Sequence, residues 1–96
     1  MKTERTFQAE PGHLYLVSTP IGNLGDLTDR ARQTLASVQK IACEDTRVTG
    51  KLLKRLDLEI PMVSYRDENE QSLAPALVQE LQSGLSLALV ADAGTP

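Results

Sequence analysis

Three short segments hold the residue types with which this chain could do chemistry. Residues 18–26 read Ser-Thr-Pro-Ile-Gly-Asn-Leu-Gly-Asp, residues 43–47 read Cys-Glu-Asp-Thr-Arg, and residues 92–96 read Asp-Ala-Gly-Thr-Pro. In the first, Gly22 and Gly25 permit close approach of a ligand to the backbone, and a following helix would offer its positive end. The segment matches neither the dinucleotide pattern nor the phosphate-loop pattern ending in Gly-Lys-Ser/Thr, so a plain turn stands beside the binding reading. The second gathers two carboxylates, a hydroxyl and a guanidinium on Glu44, Asp45, Thr46 and Arg47. Such a group could orient a ribose or a base; equally, Asp45 could cap a helix while Glu44 pairs with Arg47. In the third, Asp92 could accept hydrogen bonds from an amine or a ribose hydroxyl, or cap an ordinary turn. No pairing of Cys43 with a base can be argued from the sequence, so it reads as a small core residue rather than a nucleophile. His13 has no visible metal partner and reads as structural or solvated.

These segments need elements to hold them. Leu14, Tyr15, Leu16 and Val17 form an apolar run bounded by glycine and proline, the pattern of a strand buried on both faces. Leu27, Ala31, Leu35 and Val38 then recur at helical spacing, with Asp26 placed to cap. Residues 38–43 predict a second strand, and Val48, Leu52 and Leu56 a second helix starting near Asp45 or Thr46. Gly50 inside that helix weakens it by about 1 kcal/mol relative to Ala, or marks the close approach of a neighbour. Residues 62–65 predict a third strand, followed by a charged connection over 66–71. The third helix would be capped by Ser72, carry Pro75 in its first turn, bury Leu77, Val78 and Leu81, and end at Gly84 in the C′ position. Residues 85–91 predict a fourth strand. Strands alternating with helices favour an α/β fold with a parallel, doubly wound open sheet and flanking helices. In such sheets ligands bind beyond the carboxyl ends of the strands, which is where all three segments fall.

Composition narrows the class. At 96 residues and 41% hydrophobic content the chain fits one small domain that buries roughly two-thirds of its unfolded surface. Phe7, Tyr15 and Tyr65 are its only aromatic residues, so the core must be aliphatic. A single cysteine excludes an internal disulfide and points to a reducing compartment, with cytoplasm as the default. The net charge of −3 excludes nucleic-acid binding by bulk electrostatics and leaves only local contacts. No apolar run approaches the roughly 20 residues that span a bilayer, so no membrane association is expected. The polar residues 1–12 read as a flexible tail, and 13–96 as an α/β domain that stops at a loop where another helix should follow.

Taken together, the run Leu14-Tyr15-Leu16-Val17-Ser18-Thr19-Pro20-Ile21-Gly22-Asn23-Leu24, the motif Cys43-Glu44-Asp45-Thr46-Arg47 with Gly50, and Leu89-Val90-Ala91-Asp92-Ala93-Gly94-Thr95-Pro96 resemble one family in order and spacing. It is the ribosomal RNA small-subunit methyltransferase I family, within the tetrapyrrole methylase superfamily. The resemblance implies a methyltransferase that uses S-adenosyl-L-methionine, without a metal, on the ribose 2′-oxygen of a cytidine in 16S ribosomal RNA of the 30S subunit. It further implies two α/β domains with the donor in the cleft between them, and a homodimer. By position, Pro20, Ile21 and Gly22 match one donor-facing loop, and Asp92, Ala93, Gly94 and Thr95 another. Glu44, Asp45, Thr46 and Arg47 match a motif on the substrate side. No catalytic base is implied. The resemblance also implies that the second domain and half of the donor pocket lie outside this sequence, so the segment by itself is expected to be inactive. The same donor cleft serves methylation of porphyrin or corrin rings, which is the competing chemistry, and a non-enzymatic α/β binding module is the competing class.

Overall fold

The computed structural model describes residues 7–19, 25, 27–66 and 68–92, the last of these by its backbone only. Seven elements follow one another: β1 (Leu14–Thr19), α1 (Asp29–Ser37), β2 (Lys40–Cys43), α2 (Thr46–Arg55), β3 (Met62–Ser64), α3 (Glu70–Gln82) and β4 (Leu87–Asp92). The strands form one sheet in the order β1-β4-β2-β3, and every pairing is parallel. From β1 to β2 and on to β3 the chain moves one way across the sheet; from β3 to β4 it moves back. Right-handed crossovers therefore put α1 and α2 on one face and α3 on the other, the doubly wound arrangement that the alternation predicts.

The core lies on the face under α1 and α2. Val17, Ile41, Cys43, Ala88 and Val90 point up from the sheet and meet Leu35 and Val38 from α1 and its end, and Leu53 from α2. The register explains the choice: Val17 faces Val90, and Cys43 faces the same residue from the other side. Side chains alternate across a strand, so these residues share one face by necessity.

The opposite face departs from expectation. Lys40 on that face reaches Glu80 of α3 at 2.8 Å, which ties the helix to β2. Leu87 is fully buried, but Leu14 and Leu16 of β1 are 48% and 77% exposed. β1 is thus buried on one face, not both, because none of the described elements lies over it. Continuous apolarity in a four-residue run cannot distinguish the two cases.

Helix ends also shift. Thr28, not Asp26, caps α1, its hydroxyl accepting from the Ala31 N–H at 3.0 Å. Val38 closes α1 by donating its N–H to Thr34, and β2 begins two residues later. α3 starts at Glu70, so Ser72 lies inside the helix and Pro75 beyond its first turn. There Pro75, an exposed residue, removes one internal hydrogen bond from the helix. Gly84 ends α3 as its position predicts, at φ 105°, with the Leu85 N–H returning to Glu80 and its own N–H to Leu81. α2 ends in the same motif with Asp57 at φ 61° in the glycine position. Of the residues read as a tail, those from Phe7 onward lie against α1: Phe7 N–H donates to Gln33 Oε1, Ala9 N–H to Ser37 Oγ, and Arg30 stacks over the Phe7 ring.

Gly50 sits in α2 with Met62 at the facing strand, and a Cβ built on it would stand 3.4 Å from the Met62 methyl. That is ordinary contact with the movable end of a flexible chain. Gly50→Ala is therefore expected to raise unfolding stability by about 0.5–1 kcal/mol, read as a higher urea midpoint at unchanged m-value.

Candidate functional site

Because all four strands are parallel, their carboxyl ends lie along one edge of the sheet. Thr19 and Asp92 are register partners at that edge, on the adjacent strands β1 and β4. Thr19 is buried, and its hydroxyl reaches the Ala91 carbonyl at 3.4 Å. Pro20, Ile21 and Gly22 follow Thr19 directly, and Ala93, Gly94 and Thr95 follow Asp92; all six lie outside the described residues, as does the side chain of Asp92. The two predicted donor-facing segments thus begin from neighbouring positions on the sheet.

The second motif is described in full. Asp45 occupies the cap of α2 and accepts from the Arg47 N–H at 2.9 Å and from Arg47 Nε at 3.4 Å. The Arg47 N–H holds its carboxyl below the usual aspartate range, helped by the Arg47 side-chain hydrogen bond, opposed by burial, and helped least by the positive charges of Arg47 and Arg66. Thr46 is half-buried in the first turn, and Arg47 is 85% exposed. The ion pair imagined between Glu44 and Arg47 does not form: Arg47 pairs with Asp45, the residue whose carboxylate already stands at the helix start. Cys43 is fully buried in the core, and His13 sits before β1 with Nδ1 at 3.0 Å from the Pro11 carbonyl and Nε2 at 3.8 Å from Glu10.

Glu44 takes part through its backbone. Its carbonyl accepts from Ser64 Oγ at 3.1 Å and from Arg66 Nε at 2.8 Å. The loop that carries Arg66 is closed by Asn69, whose Oδ1 accepts from the Arg66 N–H at 2.8 Å while its Nδ2 donates to the Ser64 carbonyl at 2.9 Å. Asn69 stands at the cap of α3 but makes no capping bond, because its amide is spent on the loop. Ser64, Arg66 and Asn69 were not singled out by spacing. The available signal was Arg66 itself, a lone cation in a connection otherwise rich in acid. The result is one surface at the ends of β2 and β3 with two guanidinium groups beside a single capping carboxylate. Its chemistry suits hydrogen bonding to an anionic or hydroxyl-rich ligand. Among the described residues, no group of three or more His, Cys, Asp or Glu side chains could hold a metal ion.

With this geometry in hand, the kinship of the chain can be read. Residues 13–96 match the family described as Tetrapyrrole (Corrin/Porphyrin) Methylases. The chain belongs to that family. Its relatives include proteins named Ribosomal RNA small subunit methyltransferase I from Synechocystis sp., at 55% identity over 85 residues, and from Vibrio cholerae, at 59% over 83 residues. The protein of that name from Escherichia coli is 47% identical over 96 residues. These alignments cover 88%, 86% and 100% of the chain but only 30%, 29% and 34% of the relatives, so the chain spans about a third of their length.

The depressed Asp45 value fixes a pH dependence. A carboxyl held below its ordinary value favours the fold when ionised. Its contribution is complete above the ordinary aspartate value, about 3.9, and is lost as pH falls through the lower folded value. Asp45→Asn keeps a capping oxygen and removes the charge. The stability difference between wild type and this variant should be constant above about pH 5 and shrink toward zero under acid, as followed by chemical denaturation across pH.

Proposed function

We propose that the protein of which this segment is part transfers a methyl group from S-adenosyl-L-methionine to the ribose 2′-oxygen of a cytidine in 16S ribosomal RNA. The observation that carries the reading is the 47–59% identity, over 86–100% of the chain, to proteins named for small-subunit ribosomal RNA methylation. In this reading residues 13–96 are the amino-terminal α/β domain, preceded by a segment that packs against it from Phe7 onward, and a second α/β domain closes the cleft. The greater length of the relatives and the uncovered apolar face of β1 support that arrangement.

Pro20, Ile21 and Gly22, with Asp92, Ala93, Gly94 and Thr95, are assigned to the donor wall. The adjacency of Thr19 and Asp92 supports placing them together. Glu44, Asp45, Thr46 and Arg47 are assigned to the RNA side, at the end of the next strand over. The donor, when bound, supplies an electrophilic methyl group on a sulfonium. The chain's own part is to hold the ribose hydroxyl in line at about 3–3.5 Å, where orientation alone lowers the barrier substantially. Asp45, ionised well below neutral pH, can only accept hydrogen bonds, and it suits a positioning role for a hydroxyl or for Arg47. The protein works in the cytoplasm as a homodimer, its partner being the 30S subunit or its RNA.

A protein of the relatives' length carrying this sequence, incubated with methyl-labelled donor and 30S subunits, should place label on a cytidine 2′-oxygen identified by nuclease mapping. The 96-residue segment alone should transfer none. Labelling of a porphyrin or corrin with RNA left untouched would move the protein to the ring-methylating branch named in the family description. Absence of donor binding by calorimetry would leave a non-enzymatic module.

A further inference from the structure

The geometry points to Arg66 as an RNA-binding residue that, with Arg47, grips a backbone phosphate of the substrate at the ends of β2 and β3. The inference rests on the RNA-methylation reading and adds to it a residue outside the three motifs and the group that residue holds. Three observations carry it.

Arg66 is pre-positioned. Its backbone N–H is fixed by Asn69 and its Nε by the Glu44 carbonyl, both at 2.8 Å. Among the described residues, its two terminal amino groups make no hydrogen bond, although the residue is exposed. A guanidinium anchored at Nε and free at both Nη atoms can present a planar pair of donors to an oxyanion. Anchoring also removes much of the side-chain entropy that an arginine normally loses on binding.

Arg47 stands beside it. It is likewise exposed, and only its Nε is engaged, by a long 3.4 Å contact to Asp45. The two arginines are tied to consecutive residues, Arg47 Nε to the Asp45 carboxylate and Arg66 Nε to the Glu44 carbonyl, which places both at the same strand-to-helix junction. The two guanidinium groups offset the carboxylates of Glu44 and Asp45, so the acidic excess of a chain whose net charge is −3 is absent from this junction.

The sheet order sets what the ligand must be. β3 is the edge strand beyond β2, two strands from β4 and three from β1. At about 4.8 Å per strand, Arg66 emerges roughly 10 Å from β4, where one donor-facing segment begins, and further still from the other. An anion held at Arg66 while a ribose reacts near β4 therefore belongs to a ligand that extends past the reacting nucleotide. An RNA backbone does so; the donor's single carboxylate, on a folded small molecule, does not. Glu68 and Glu70 flank the loop and keep its long-range field weak, so the grip depends on directed hydrogen bonds.

The test uses a protein of the relatives' length and reads RNA binding separately from turnover. Fluorescence anisotropy with a 16S RNA fragment over a salt series gives the slope of log affinity against log salt; steady-state methylation of 30S subunits gives kcat and both KM values. R66A should weaken RNA binding about tenfold and reduce the salt slope by about one, with kcat and the donor KM changed less than about twofold. R66K, which keeps the charge and loses the fork, should restore the slope while affinity stays intermediate, at an unchanged melting temperature. An unchanged slope in R66A, a loss confined to the donor KM, or failure of R66K to recover the slope would each overturn the assignment. Wild-type protein that binds RNA without methylating it would sink the methyltransferase reading and leave Arg66 to be judged by the slope alone.

Discussion

Parallel pairing of β1, β4 and β2 in one fixed register is the constraint on which the rest of the molecule depends. Leu16 against Leu89 and Ala42 against Leu89 set the three strands so that Val17, Ile41, Cys43, Ala88 and Val90 share a face. A slip of one residue in β1 would put Leu16 and Ser18 under α1 and lift Val17 and Thr19 out of the core. The same register brings Thr19 level with Asp92. Burial of the core and alignment of the strand ends are therefore one fact; the apolar side chains that select the register also fix which loops emerge together.

How much of this could be read from the chain depends on the range of the interaction. The alternation of strand and helix, the turn at Gly84 and the Asp45 cap were legible because each is decided within a few residues. Helix starts were less so. Thr28 and Asp26 are both competent caps, and only the path of the chain into α1 selects Thr28. The end of α2 was hidden for a different reason: Asp57 adopts a left-handed conformation that glycine usually supplies, and nothing in its neighbourhood announces it. The one-sided burial of β1 was invisible in principle, since the run of apolar residues is the same whether or not a second layer covers it.

The candidate site divides along the same line. Glu44, Asp45, Thr46 and Arg47 were found because four consecutive polar residues after an apolar strand stand out in sequence. Their partners were not, because Ser64 and Arg66 lie 20 and 22 positions from the carbonyl they bind. Only the pairing of β2 with β3, which sets Cys43 opposite Ser64, brings them within reach. Asn69 is the most instructive case. By position it should cap α3, and a capping reading would have ended there; its amide instead bridges Ser64 and Arg66, and the helix begins without a side-chain cap. A stabilising bond at the helix end gives way to one that fixes a loop, the exchange expected where a loop has work to do.

That exchange bears on how an acidic chain could present a local site for an anionic group. A net charge of −3 gives no attractive field at the distances over which nucleic-acid binders steer their ligand. Screening further confines any surface charge to about 8–10 Å at physiological salt, so what matters is the sign of the potential within one side-chain length. At the ends of β2 and β3 the carboxylates of Glu44 and Asp45 are matched by the guanidinium groups of Arg47 and Arg66, so the directed donors of the two arginines, rather than an excess of charge, decide what can bind. Each guanidinium there is tethered by one nitrogen and offers the others outward, so recognition can be local, geometric and short-ranged. A ligand must already be close to feel it.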